Sequence, residues 1–148
     1  MAPSNPAAAA QALAERVRDA MFTKDVAARS MGMEVIAIGP GTARVTMAVR
    51  SDMANGFGIC HGGLVATLAD TAFAYACNSW NERTVAAGFD VQLLAAAQLG
   101  DTLVASAAVL AQGKRTGLYD VAVHNQDNRL VAAFRGRSHR LAGPVVEV

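Results

Sequence analysis

Charge is scarce in this 148-residue chain. Asp, Glu, Lys and Arg make up 17% of it, against about a quarter in ordinary globular domains. Thirteen basic and 12 acidic residues leave a formal net charge of +1, so no broad basic field exists to meet a phosphate backbone and nucleic acid is excluded as a partner. Two cysteines, Cys60 and Cys77, are too few for a disulfide scaffold. Both sit in apolar surroundings, as reduced cytosolic cysteines do. Long apolar runs are missing as well: the nearest candidate for a membrane span, residues 59–80, is broken by His61, Asp70, Asn78 and Ser79. The first residues carry neither a basic n-region nor a long Leu-rich stretch, so no signal peptide is read. A cytoplasmic protein with no membrane partner is the expectation.

Several motifs are absent too. No G-x-S-x-G elbow supplies a serine nucleophile, and neither G-x-G-x-x-G nor a Walker loop cradles a phosphate. The cysteines lack the His/Cys spacing of a zinc site. No metal and no cofactor is expected.

What is present is apolar: 53% of the residues are hydrophobic. That length and composition suit one domain with a proper core, and so little charge implies that part of the exterior is covered by another subunit. Residues 1–24 read as an arm, loose over 1–6, and an Ala-rich helix from about Ala7 with Leu13, Val17, Ala20 and Met21 on one face. Residues 25–148 read as a single domain. A short helical piece between Asp25 and Ser30 precedes two strands, 33–38 and 42–50, joined by a Gly39-Pro40-Gly41 turn. A loop over 51–60 leads into one long helix, 61–78, apolar almost all round and therefore buried on most sides. Strand-like stretches follow at about 84–95, 102–112, 116–126 and 129–140. Hairpin-linked strands beside a segregated helix make an α+β fold, an antiparallel sheet wrapped around one long central helix.

Asp70 is the only Asp, Glu, Lys or Arg between Asp52 and Glu82, and it falls mid-helix among apolar residues. An unpaired carboxylate there is costly, so it is either bonded to a neighbour such as Thr67 or Thr71, or tuned as a general base or nucleophile. His61-Gly62-Gly63 opens the helix with two poor helix formers. Either this is a tight turn, or it is a helix start whose free N–H groups polarise a carbonyl and hold an oxyanion. Gly62 and Asp70 are eight residues apart, about 12 Å along a helix. One helix cannot easily bring both to one carbonyl, whereas a two-fold dimer can place Gly62 of one subunit against Asp70 of the other.

The segments NGFGICHGG (55–63) and LADTAFAYACN (68–78) resemble the hotdog-fold acyl-CoA thioesterases, in particular the phenylacetate-degradation (PaaI-like) subfamily. The likeness runs from about Asp25 to Leu141, through QLGDTL (98–103), GKRTGLYD (113–120) and FRGRSHR (134–140). It implies hydrolysis of acyl-CoA thioesters, aromatic ones first, by a homo-oligomer built as a dimer of dimers. It implies Asp70 as the catalytic carboxylate, Gly62 as the backbone N–H on the thioester carbonyl, and His61 and Asn55 as residues that orient water or substrate. Gly63 and Phe57 are expected on the substrate, and Arg137 on the CoA phosphates, although such basic groups usually form a solvated rim. One departure is noted: relatives often carry Arg-Pro where this chain has Ala95-Ala96. Phe73, Tyr75 and Trp80 line an aryl pocket or belong to the core. Two alternatives stay open, a non-catalytic acyl-CoA-binding module and an acyl-CoA hydratase; the second lacks its catalytic histidine motif here.

Overall fold

The first helix is started by its own sequence. In the computed structural model, which describes residues 5–148, the Asn5 side chain accepts from the Ala7 N–H at 3.0 Å, with Pro6 in the first turn. The expected loose arm, 1–6, lies outside the described residues up to Ser4, and Asn5 and Pro6 belong to the helix start. Helix α1 spans Pro6–Lys24. Its buried residues are Ala14 and Val17, with Leu13, Ala20 and Met21 half-buried beside them. Asp25 ends α1 and caps α2, Val26–Ser30, by accepting from the Ala28 N–H at 3.2 Å.

Strands β1 (Glu34–Gly39) and β2 (Thr42–Ala48) form the expected hairpin. Its turn needs Gly41, whose φ is +73°; Pro before a positive-φ Gly is the pattern of a type II turn. Along β2, Ala43, Val45 and Met47 point inward while Thr42, Arg44 and Ala48 are exposed. Helix α3 covers Gly62–Asn78, one residue inside the expected span, because His61 is its N-cap. Then come β3 (Thr84–Leu93), β4 (Thr102–Gln112), β5 (Thr116–His124) and β6 (Leu130–Arg140).

The sheet order is β1-β2-β4-β5-β6-β3 and every neighbouring pair is antiparallel. All six strands pack against α3, which is the hotdog arrangement of sheet around helix. Leu68, Ala69, Ala72, Phe73, Tyr75 and Ala76 of α3 have no exposed surface. Phe73 meets Tyr119 of β5 edge-on at 5.5 Å and Phe134 of β6 at 5.7 Å, pairs worth about 0.5–1.5 kcal/mol each beyond their burial. Phe73 and Tyr75 are therefore core residues.

The helix is not buried all round. Gly63, Ala66, Thr67, Asp70, Thr71 and Ala74 keep part of their surface in the single chain, and their three- and four-residue spacing makes them one stripe. At the sheet edge beside it, β3 pairs with β6 alone and carries Val85, Phe89 and Leu93, each about half exposed.

Candidate active site

The start of α3 is held by the loop before it. A single 3-10 turn, Ser51–Met53, leads to Asn55, whose Oδ1 accepts from the N–H groups of Phe57 (2.9 Å) and Ile59 (3.3 Å). This closes the glycine-containing loop on itself and leaves the Asn55 side-chain NH2 donating to no group among the described residues. The Cys60 N–H donates to the Ala97 carbonyl and the His61 N–H to the Met53 carbonyl, each at 2.8 Å. The N-cap of α3 and the residue before it are thereby pinned to two chain segments.

No side chain caps α3, and the N–H groups of Gly62 and Gly63 have no acceptor among the described residues. Unused donors and the positive end of the helix dipole make this a place for a partly negative oxygen. Gly62 borders a cavity of about 320 Å³ that Asn55 shares with Ile59, Val65, Leu93, Ala95 and Ala96. A β-carbon on Gly62 would stand 2.5 Å from Leu93 Cδ1, so glycine lets the Leu93 side chain pack directly against the helix start. The Ala95-Ala96 departure lies in this wall. His61 is exposed on the other side of the helix start, facing a hollow of about 270 Å³ with Asp52, Gly63 and Leu64.

Asp70 sits two turns further along α3, on the uncovered stripe. Bonding to its threonine neighbours is overturned: Thr67 donates to the Gly63 carbonyl at 2.8 Å and Thr71 to the Thr67 carbonyl at 2.7 Å. Among the described residues no hydrogen bond and no ion pair reaches the Asp70 carboxylate. Burial first, and the nearby Asp25 carboxylate second, push it above the ordinary carboxylate range. It is a half-buried carboxylate with its oxygens free and its proton affinity raised, as general-base and nucleophilic carboxylates are.

Within one chain the structure brings Asn55 and Gly62 together in one cavity, places His61 and Gly63 in the hollow on the other side of the helix start, and keeps Asp70 apart from both along the helix. Phe57 is also apart, 92% exposed at the loop tip. Arg137 lies on the face of β6 turned away from α3, over Gly88. Its basic neighbours are engaged: Arg135 grips Asp120 at 2.7 and 2.9 Å, holding that carboxyl below its usual range, and Arg140 pairs with Glu82 at 2.9 Å above the Trp80 ring. Cys60 and Cys77 are buried free thiols; burial raises both, Cys77 to about 12. Sequence reasoning did not foresee the link between Tyr75 and Asp25, in which the Tyr75 hydroxyl donates to Asp25 Oδ2 at 3.1 Å. Asp25 reads in the sequence only as a helix boundary, and nothing in its spacing announces a partner on α3.

A family profile described as the thioesterase superfamily matches residues 57–132. The chain is 47% identical over 126 residues to the acyl-coenzyme A thioesterase PaaI of Escherichia coli K12, covering 85% of this chain and 90% of that protein. It superposes on the solved structure of the E. coli PaaI protein from the phenylacetic acid degradation operon with a TM-score of 0.89 and 45% identity, over 90% of this chain and 97% of the other. A hypothetical thioesterase from Streptococcus pneumoniae solved with coenzyme A matches with a TM-score of 0.77 and 25% identity, over 86% and 98% of the two chains.

Proposed function

Since the chain belongs to the thioesterase superfamily, in its PaaI-like branch, and is an acyl-CoA thioesterase, we propose that it hydrolyses aromatic acyl-CoA thioesters, aryl-acetyl ones first, at a site shared by two subunits. The observation that carries this reading is the pairing on α3 of an uncapped glycine start with an unpartnered, burial-raised Asp70. The operon of the E. coli relative supports an aryl-acetyl group, and the coenzyme A held by the S. pneumoniae protein supports CoA as the leaving group.

The thioester carbonyl oxygen points at the Gly62 N–H, where charge gathers as the carbonyl carbon becomes tetrahedral. Asp70 of the facing subunit takes the proton of a water that attacks this carbon. Collapse of the intermediate breaks the C–S bond, and the thiolate regains the proton as CoA leaves. Direct attack by the Asp70 carboxylate, through an anhydride that water then opens, gives the same products. Asn55 orients substrate or water through its free NH2 group, His61 and Gly63 flank the helix start, Phe57 packs on substrate across the interface, and Arg137 binds CoA phosphate.

The uncovered stripe of α3 and the unpaired, apolar edge of β3 support the shared site, since an exposed apolar edge strand invites a second copy. Two such dimers form a homotetramer in the cytoplasm, a compartment that suits buried free thiols. Free-thiol release across aromatic, short and long acyl-CoAs tests the substrate class; a preference for long aliphatic chains would refute it. Single-turnover hydrolysis in 18O-labelled water tests for direct attack: label in the Asp70 carboxyl, which enters when water opens the anhydride at the Asp70 carbonyl, requires the covalent route, because general-base catalysis leaves Asp70 unlabelled.

A further inference from the structure

A trough of about 710 Å³ crosses β3, β6, β5 and β4 on the outward face of the sheet, away from α3. Strand register lays two rows of side chains across it. One row is tall: Asp90 of β3, Arg135 of β6 and Asp120 of β5. Arg135 and Asp120 are locked by bonds of 2.7 and 2.9 Å, with about half of each side chain exposed. The next row is short: Ala133 of β6, Ala122 of β5 and Ser106 of β4, with Gln92 of β3 at its end. The outward face of a solvated antiparallel sheet ordinarily carries polar residues, and alanine is a poor strand former. Two alanines at the centre of this face, beside a neutral ion pair, suit contact with another surface.

We propose that this face docks a second copy of itself, and that it is the interface at which two dimers stack sheet on sheet. A two-fold axis running across the strands, between the two rows, lays each copy's tall row on the other's short row. The Arg135–Asp120 pair of each copy then fills the trough over Ala133 and Ala122 of the other, with the sheets about 10 Å apart. The pair enters already matched in charge, so stacking leaves no lone charge over the alanines. Such self-complementarity is what an isologous contact requires. The proposal rests on the shared site, and the level of the axis ties the two together. Gly62 stands beside Leu93, and Asn78 is bonded to Thr84 at 2.9 and 3.0 Å, so α3 runs antiparallel to β3. Asp70, midway along α3, is therefore level with residues 88–89 of β3. A two-fold axis at the β3 edge brings Gly62 of one copy level with Asp70 of the other when it passes midway between these levels, near Val91. Val91 lies between Asp90 and Gln92, which is the level of the axis between the rows. The two axes meet there, the condition for closing four copies. Arg137 lies two residues beyond Arg135 on β6, outside both rows.

Ala133→Lys tests this face, because Ala133 is exposed in the single chain and points away from α3. Ala122→Lys repeats the test one strand over, and Ala133→Ser is the control of similar size. The full chain and the three variants are compared by sedimentation velocity and by thiol release from an aryl-acetyl-CoA, with thermal melts to verify folding. The expected result is four copies for the parent and Ala133→Ser, and two copies for both lysine variants, with turnover per chain unchanged. Lysine variants that stay tetrameric, or a parent that never exceeds two copies, overturn the stacking face and leave the shared site standing. Lysine variants that fall to single copies without turnover overturn it as well, since the face would then belong to the active dimer. Full turnover by single copies overturns the shared site, and with it the axis level on which the stacking rests.

Discussion

Replacing Asp70 by Asn separates what the residue costs the fold from what it does for the reaction. Because its carboxyl is raised above the ordinary range, folding takes up a proton between that range and the raised value. The group's contribution to stability is thus full at acid pH and is lost as pH rises through the raised value. Asp70→Asn is expected to lower turnover by about 10²–10⁴-fold, the size of a lost general base. It should also raise the melting temperature at neutral pH relative to the parent, a gain that fades in acid; melts at several pH values check this. Gly62→Ala behaves differently. The new methyl meets only the far end of Leu93, a half-exposed side chain that can swing away, so stability changes by about 0.5 kcal/mol or less. The methyl intrudes on the approach to the Gly62 N–H, and turnover falls about 10- to 100-fold, as displacement of a reacting group by about an ångström does. Steady-state rates beside a denaturant melt separate the two effects.

Elements carry the next layer. The β1–β2 hairpin depends on Gly41 twice, through its positive φ and through the 2.7 Å and 2.9 Å at which a β-carbon would meet Val109 and Trp80. Gly41→Ala is expected to destabilise by about 1–3 kcal/mol, read as a lower denaturation midpoint. The helices and strands were legible because their signals are local: Asn5 and Pro6 open α1, Gly39-Pro40-Gly41 turns the hairpin, and alternation in Thr42–Ala48 marks a half-buried strand. Strand ends were not: past Leu93 the N–H groups of Leu94 and Ala95 both converge on the Val131 carbonyl, which breaks the ladder, and past His124 the chain turns at Asn125, whose side chain accepts from the Asp127 and Arg129 N–H groups. The uncovered stripe on α3 was illegible for a related reason. Ala66 and Ala74 read as apolar residues like any other, and which side of a nearly all-apolar helix stays bare is settled by where the sheet ends.

At the scale of the whole molecule, the missing charge acquires a location. The half-exposed apolar residues Val85, Phe89 and Leu93 lie along one edge strand beside Asp70's face of α3. Phe89→Lys places a charge mid-strand, a common device against edge pairing. It is expected to dissociate the oligomer and abolish turnover together, with helix and strand content retained; sedimentation velocity paired with activity at matched concentrations checks this. A monomer of full activity would contradict the shared site.

The amino-acid sequence by itself determined the element order, the α+β class, the buried helix and the two candidate residues of the proposed site, Gly62 and Asp70, because period, turn residues and one misplaced carboxylate are properties of short segments. Only the tertiary structure decided that Thr67 and Thr71 turn away from Asp70, that Arg137 lies across the sheet from α3, and that the Tyr75 hydroxyl donates to Asp25. Those facts depend on which surfaces meet in space. A hydrogen bond between residues 25 and 75 leaves no trace in the spacing of either.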